Sequence, residues 1–185
     1  MSSSLTHRLA RLDDLDALRA LINAAISELQ KPFLDEDQIS SSRAIMGLDT
    51  QLIEDATYFI VELDGSLAGC GGWSRRATLY GGDHSPGRTA SLLDPKRDAA
   101  RVRAMYTHPD HIRKGVGRLI LDLCERAARS ESFGTVELMA TMAGEPLYRA
   151  CGYQPIERVE DARGGAPVPL LRMRKGLSCS RGRTK

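Results

Sequence analysis

The spacing of hydrophobic positions along the chain switches repeatedly between strand and helix periods. Leu5 to Ala10 reads as a short strand. Leu15, Leu18, Ile22, Ala25, Ile26 and Leu29 then recur at helical spacing, with Asp13 or Asp14 as the cap and Pro32 closing the region. A second helical pattern starts near Asp35 and runs past Ile39, Ile45 and Leu52, with Gly47 as its candidate break. From Tyr58 the period changes. Tyr58 to Leu63 is β-branched and aromatic, Asp64-Gly65 is a hairpin signal, and Leu67 to Trp73 is the returning strand. Gly69, Gly71 and Gly72 in that strand predict a bulge or a place where a ligand or another backbone comes close.

Arg76 to Asp98 has little periodicity and reads as a long loop, of the kind that serves as a lid or stays disordered. Ala99 to Thr107 resumes as a strand, His108-Pro109-Asp110 turns the chain, and Gly115 to Arg129 is an amphipathic helix. Thr135 to Ala140 is a strand and Glu145 to Ala150 a short helix ended by Gly152. Tyr153 to Val159 and Val168 to Met173 complete the set. The order β-α-α-β-β-β-α-β-α-β-β predicts an α+β fold, a mixed sheet with helices packed on it.

At 185 residues the chain suits one compact domain, expected over 1–176, and 42% hydrophobic residues can supply its core. A net charge of +2 gives no reason to expect a nucleic-acid partner. Six of the cations fall between Arg172 and Lys185 without an acid, so 177–185 reads as a disordered basic tail. Cys70, Cys124, Cys151 and Cys179 are scattered without metal-ligand spacing, which suits a reducing cytoplasm. The first fifteen residues lack the apolar stretch of a secretory signal, and no apolar run reaches the ~20 residues of a membrane span.

The chemistry concentrates at Arg113-Lys114-Gly115-Val116-Gly117-Arg118, between a strand and a helix. Helix N-terminal amides lack partners inside the helix, the helix dipole is positive there, and glycines let a phosphate approach the backbone. The cations add to that field, so the segment is a candidate anion site. Two phosphate loops fail. The Walker pattern Gly-x4-Gly-Lys-Ser/Thr is missing, and a dinucleotide fingerprint from Gly115 would need glycine where Ile120 stands.

Met105 to Gly117 followed by an amphipathic helix resembles the acetyl-CoA-binding motif of the GNAT superfamily of N-acetyltransferases, Arg/Gln-x-x-Gly-x-Gly/Ala, with Ile112 at the usual Arg/Gln position. Leu147-Tyr148-Arg149-Ala150-Cys151-Gly152-Tyr153 resembles the family's second signature. The resemblance implies a central mixed, mostly antiparallel sheet, splayed between its fourth and fifth strands and flanked by about four helices, with acetyl-CoA inserted in the splay. It further implies that Met105, Tyr106 and Thr107 hold the pantetheine arm and that amides from Arg113 to Arg118 hold the pyrophosphate. Thr141 stands where many members place an asparagine on the pantetheine.

The resemblance also implies direct attack by an amine on the thioester, with no acyl-enzyme and no metal. Tyr148 corresponds to the family tyrosine near the thioester sulfur, and a phenol is reasonably matched to a departing thiolate as general acid; the competing reading is a core tyrosine. The base is open among Glu62, Asp83, His84 and a water chain, since the family's carboxylate position on the fourth strand is Arg101 here. Trp73, Asp83 and His84 are candidates for the acceptor pocket: Trp73 could give a flat wall or a cation-π face, or equally pack in the core. The expectation is a cytoplasmic monomer or homodimer acetylating a small-molecule amine, without nucleic-acid or membrane partners. A protein or peptide acceptor, and a non-catalytic acyl-CoA sensor, are the rivals.

Overall fold

The computed structural model describes residues 4–177; the tail expected from the sequence lies outside the described residues, apart from Leu177, which is buried in the core. The chain folds as β1 (Leu5–Leu9), α1 (Leu15–Leu29), α2 (Glu36–Ser42), α3 (Thr50–Glu54), β2 (Tyr58–Leu63), β3 (Ser66–Ser74), β4 (Ala100–Thr107), α4 (Val116–Ser130), β5 (Thr135–Thr141), α5 (Glu145–Ala150), β6 (Gln154–Asp161) and β7 (Val168–Gly176). The sheet order is β1-β2-β3-β4-β5-β7-β6, antiparallel except for β4 and β5. The α+β architecture expected from the sequence is the one observed, with five helices rather than four.

The extra helix comes from the predicted pattern after Asp35, which is two helices. Asp35 caps α2 by accepting from Gln38 N at 2.8 Å, and the Gln38 side chain accepts from Asp35 N in return. Asp49 caps α3 by accepting from Gln51 N at 3.2 Å. Between the caps, residues 43–49 run as a connector past Gly47, where the His84 ring leaves no room for a side chain. At β2–β3, Asp64 (φ 50°) and Gly65 (φ 82°) supply the left-handed pair that a tight hairpin requires.

Each face of the sheet carries a core. On one, α4 places Val116, Ile120, Leu121 and Cys124 against Val61, Trp73, Val102 and Leu138. On the other, α1 and α3 place Leu18, Ile22, Ile26 and Leu52 against Tyr58, Ile60 and Cys70. The β3 glycines set how closely these layers approach. A Cβ on Gly69 would lie 2.4 Å from Val116 Cγ1, and one on Gly71 2.6 Å from Ile120 Cγ2, so both glycines admit α4. A Cβ on Gly72 would meet Thr57 O at 2.6 Å.

Two irregularities then open the sheet. Cys70 pairs with Tyr106 but Gly72 with Arg103, so Ala104 and Met105 together oppose Gly71, and Ala104 takes φ 50°. That is a β-bulge, which bends its strand and interrupts the ladder. Beyond it, β4 and β5 pair only at Ala100–Val136 and Arg101–Glu137 before they diverge. The gap between them is the cleft of the molecule.

Candidate functional site

The splay opens a cleft of about 960 Å³. One half is built from consecutive residues. Met105, Tyr106 and Thr107 line it from the end of β4. His108 accepts from Asp110 N at 3.2 Å and starts a short 3-10 turn with Pro109 at its first position. Arg113 (φ 62°) and Gly115 (φ 85°) then both take left-handed backbone, and α4 begins with no side chain capping it. Such a concave run of amides at a helix N-terminus favours an anion. Arg113, Gly115, Val116, Gly117 and Arg118 line the cleft together. Lys114 does not: its ammonium folds back onto Asp110 O at 3.0 Å and ties its own loop.

Opposite, Thr141 lines the cleft and its hydroxyl accepts from Gly144 N at 3.2 Å, at the entry to α5. Leu147 packs so closely on Gly117 that a Cβ there would lie 2.6 Å from it. Tyr148 is buried against Tyr153 in an edge-to-face pair, ring centroids 5.9 Å apart, and its hydroxyl sits 4.0 Å from Met105 Sδ on the bulge. Burial pushes its phenol above the usual tyrosine range, so the group is protonated at neutral pH.

The other half of the cleft gathers residues from distant segments: Ile45 and Met46 before α3, Leu79 to Gly81 from the long loop, Val102 and Arg103 on β4, Met139 on β5 and Leu170 on β7. That loop carries one isolated bridge, Arg76–Leu92, yet it is pinned throughout. Arg103 donates to Gly81 O at 2.6 Å and pairs with the fully buried Asp49 at 2.5 Å. Arg88 reaches the same Asp49 at 2.5 Å. Tyr80 donates to Asp161 Oδ2 at 2.8 Å, and Arg163 pairs with Asp161 at 2.5 Å while lying over the Tyr80 ring. Arg163 beside Asp161 pulls its carboxyl down to about 2. The β6–β7 turn is fastened to α2 by Gln38 Nε2 to Pro167 O at 2.9 Å and Ser41 Oγ to Ala166 O at 2.6 Å. This end of the cleft is therefore a closed wall.

The three residues expected in an acceptor pocket fall elsewhere. Trp73 is 2% exposed, packed edge-on against Phe133 with Arg75 over its ring, because its side of β3 faces the α4 core. Asp83 accepts from Thr50 N and Oγ1 at 3.0 Å, and His84 Nε2 meets Arg43 O at 2.6 Å; both fasten the loop from outside the cleft. Glu62 does not line the cleft either, since it sits on β2 opposite Thr6 of β1. The acid that does line it, Glu28, stands exposed at the mouth and pairs with Lys31 at 2.7 Å. Arg103 and Asp49 were not singled out in the sequence. A visible signal was present for Arg103, which with Arg101 is one of two cations set among the apolar residues of the strand.

Comparison with known proteins agrees with this architecture. Residues 18–153 match the acetyltransferase (GNAT) family. No curated protein matches the chain. Among solved structures, a GCN5-related N-acetyltransferase (aminotransferase, class-II) from Rhodopseudomonas palustris superposes with a TM-score of 0.70 at 19% identity, over 96% of this chain and 99% of that one. The PaiA N-acetyltransferase of Thermoplasma acidophilum, solved with coenzyme A, gives 0.63 at 14% identity over 94% and 99%. YncA of Salmonella typhimurium, solved with its cofactor acetyl-CoA, gives 0.61 at 18% identity over 94% of both chains. At such identities the likeness is one of fold.

Proposed function

Because the chain belongs to the GNAT acetyltransferase family, we propose that it transfers an acetyl group from acetyl-CoA to the primary amine of a small molecule by direct attack in a ternary complex. The observation that carries this reading is the splayed β4–β5 pair, which opens at one end on the uncapped N-terminus of α4 and at the other on a closed wall. The residues present fit coenzyme A. The amides from Arg113 to Arg118, with the Arg113 and Arg118 guanidiniums, hold the pyrophosphate, and Met105 to Thr107 with Thr141 hold the pantetheine arm. Similar folds solved with coenzyme A and acetyl-CoA support that assignment.

When bound, acetyl-CoA supplies the activated thioester; this chain aligns it and handles protons. The bulge at Ala104–Met105 leaves β4 without a regular ladder beside Tyr148. As the C–N bond forms and the C–S bond breaks, Tyr148, which burial keeps protonated near neutrality, gives its proton to the departing sulfur and regains one from solvent. Among the described lining residues no carboxylate stands at the closed end, so we assign the uptake of the amine proton to water. A small acceptor fits the closed wall better than a protein does, since Tyr80, Asp161 and Arg163 seal that side.

The test is free-thiol release from acetyl-CoA across small amines, amino acids and peptides. Tyr148→Phe is expected to lower kcat by about a hundredfold or more with KM for acetyl-CoA little changed. Equal kcat at every pH would remove the general acid. Absence of turnover in the wild type with every acceptor, alongside thermal stabilisation by acetyl-CoA, would replace the enzyme with a sensor.

A further inference from the structure

The closed end of the cleft has a chemistry of its own. Its wall is apolar through Ile45, Val102, Met139 and Leu170, and its one charged side chain is Arg103. That side chain is 2% exposed. A guanidinium has five N–H donors. In Arg103 one bond goes to Asp49 and one to Gly81 O, while Nε is buried without a partner. Asp49 is moreover shared, since Arg88 binds it at the same 2.5 Å; Asp83, 42% exposed, meets Arg88 at 3.2 Å only from the solvent side. The inner wall thus carries a cation with donors to spare whose counter-ion, Asp49, is shared with Arg88; Arg103 also borders a second cavity beside Asp83 and Arg88. A polyamine or an aminoglycoside, several cations on one molecule, would meet repulsion at the closed end and find an acid, Glu28, only at the mouth. A planar two-oxygen anion matches the chemistry of a guanidinium.

We propose that the acceptor carries a carboxylate on the same small, mainly apolar skeleton as its amine, and that Arg103 binds that carboxylate at the closed end. This rests on the acetyltransferase reading above and names the substrate class for it. The placement is suitable, because Arg103 precedes the bulge at Met105 by two residues, about 7 Å along the strand. A carboxylate anchored there leaves its amine directed toward the bulge and Tyr148. The guanidinium also disfavours a second positive charge nearby, which helps the amine lose its proton in a cleft without a carboxylate base.

The experiment compares acceptors of one skeleton: L-leucine, leucinamide and isoamylamine, with spermidine as the polycation. The expected result is a kcat/KM for L-leucine at least about a hundredfold above the two that lack the carboxylate, and no turnover of spermidine. Equal or better use of leucinamide, isoamylamine or spermidine overturns the proposal and leaves the acetyltransferase reading standing. Thiol release from none of them, nor from any other amine, overturns both. Arg103→Met alone leaves the buried Asp49 with Arg88 as its counter-ion and risks unfolding, so the R103M/D49N pair, which removes both charges and leaves Arg88 its contact with Asp83, is the decisive variant. In it KM for L-leucine rises on the order of tenfold to a hundredfold, KM for acetyl-CoA stays constant, and the preference over isoamylamine collapses. A folded double variant that keeps the wild-type preference overturns the assignment of Arg103.

Discussion

From Met105 to Arg118 the half of the cleft assigned to the donor follows the chain without interruption, from strand through turn to helix. The half assigned to the acceptor draws on residues 43–49, 79–89, Arg103 and the β6–β7 turn, which meet only because the sheet and α2 bring them together. One half uses backbone: left-handed Arg113 and Gly115, free helix amides, a bulged strand. The other uses side chains, with Asp49, Arg88, Arg103, Tyr80, Asp161 and Arg163 joined in ion pairs and hydrogen bonds. A backbone site tolerates sequence change at most of its positions and asks only for glycine where a side chain would intrude. A side-chain site depends on each member, so substrate choice can be rebuilt there while the donor site is kept.

The contrast can be broken most severely at Asp49. Asp49→Ala leaves Arg103 buried and Arg88 half-buried around a missing carboxylate, and the expected loss of stability is about 3–5 kcal/mol, measured by urea unfolding. In whatever folded fraction survives, acetyl-CoA binding should match wild type; a parallel loss of cofactor affinity would mean that the halves are not independent. Gly117→Val is the converse. Its side chain would collide with Leu147 and crowd the first turn of α4, costing about 1–3 kcal/mol. Calorimetry should show acetyl-CoA affinity falling by roughly tenfold, with the preference among acceptors unchanged. Were that preference to move instead, the assignment of α4 to the donor would be wrong.

A smaller, pH-dependent effect sharpens the acceptor side. The Asp161 carboxyl is held at about 2 chiefly by its hydrogen bonds from Arg163, against an ordinary 3.8. A depressed carboxylate contributes stability that is complete above the unfolded value and lost as pH falls through the folded one. The wild type should therefore exceed Asp161→Asn by up to about 2 kcal/mol at pH 6, with the margin shrinking between pH 4 and 2. A constant margin across that range would show that the Tyr80–Asp161–Arg163 contact contributes through packing and not through charge.

Much of this arrangement was legible along the chain. The helix and strand periods gave the order of elements, and Asp64-Gly65 gave the hairpin, because both signals depend on neighbours within a turn or two. The glycines of β3 were legible as close approaches, and what approaches is α4 on two of them and the β2 backbone on the third. Trp73 was read as an aromatic that could face a ligand or the core. The choice depends on which face of the sheet α4 covers, which no local window contains. Asp83 and His84 were drawn to the site by their chemistry, yet they hold the loop in place from the far side.

The sequence by itself determined the α+β element order, the Gly-rich turn into α4 and the tyrosine of α5, since each is written in consecutive residues with their own backbone preferences. The family resemblance implied the splay of β4 from β5, and Gly47 marked the break in the Asp35–Leu52 stretch; the tertiary structure alone decided where β4 and β5 stop pairing and how Arg103, Asp49 and Arg88 assemble. Those outcomes follow from contacts between segments far apart in the chain. A buried guanidinium reveals its role only through the partners that folding places around it, and those partners, Asp49 and Gly81, come from separate segments of the chain.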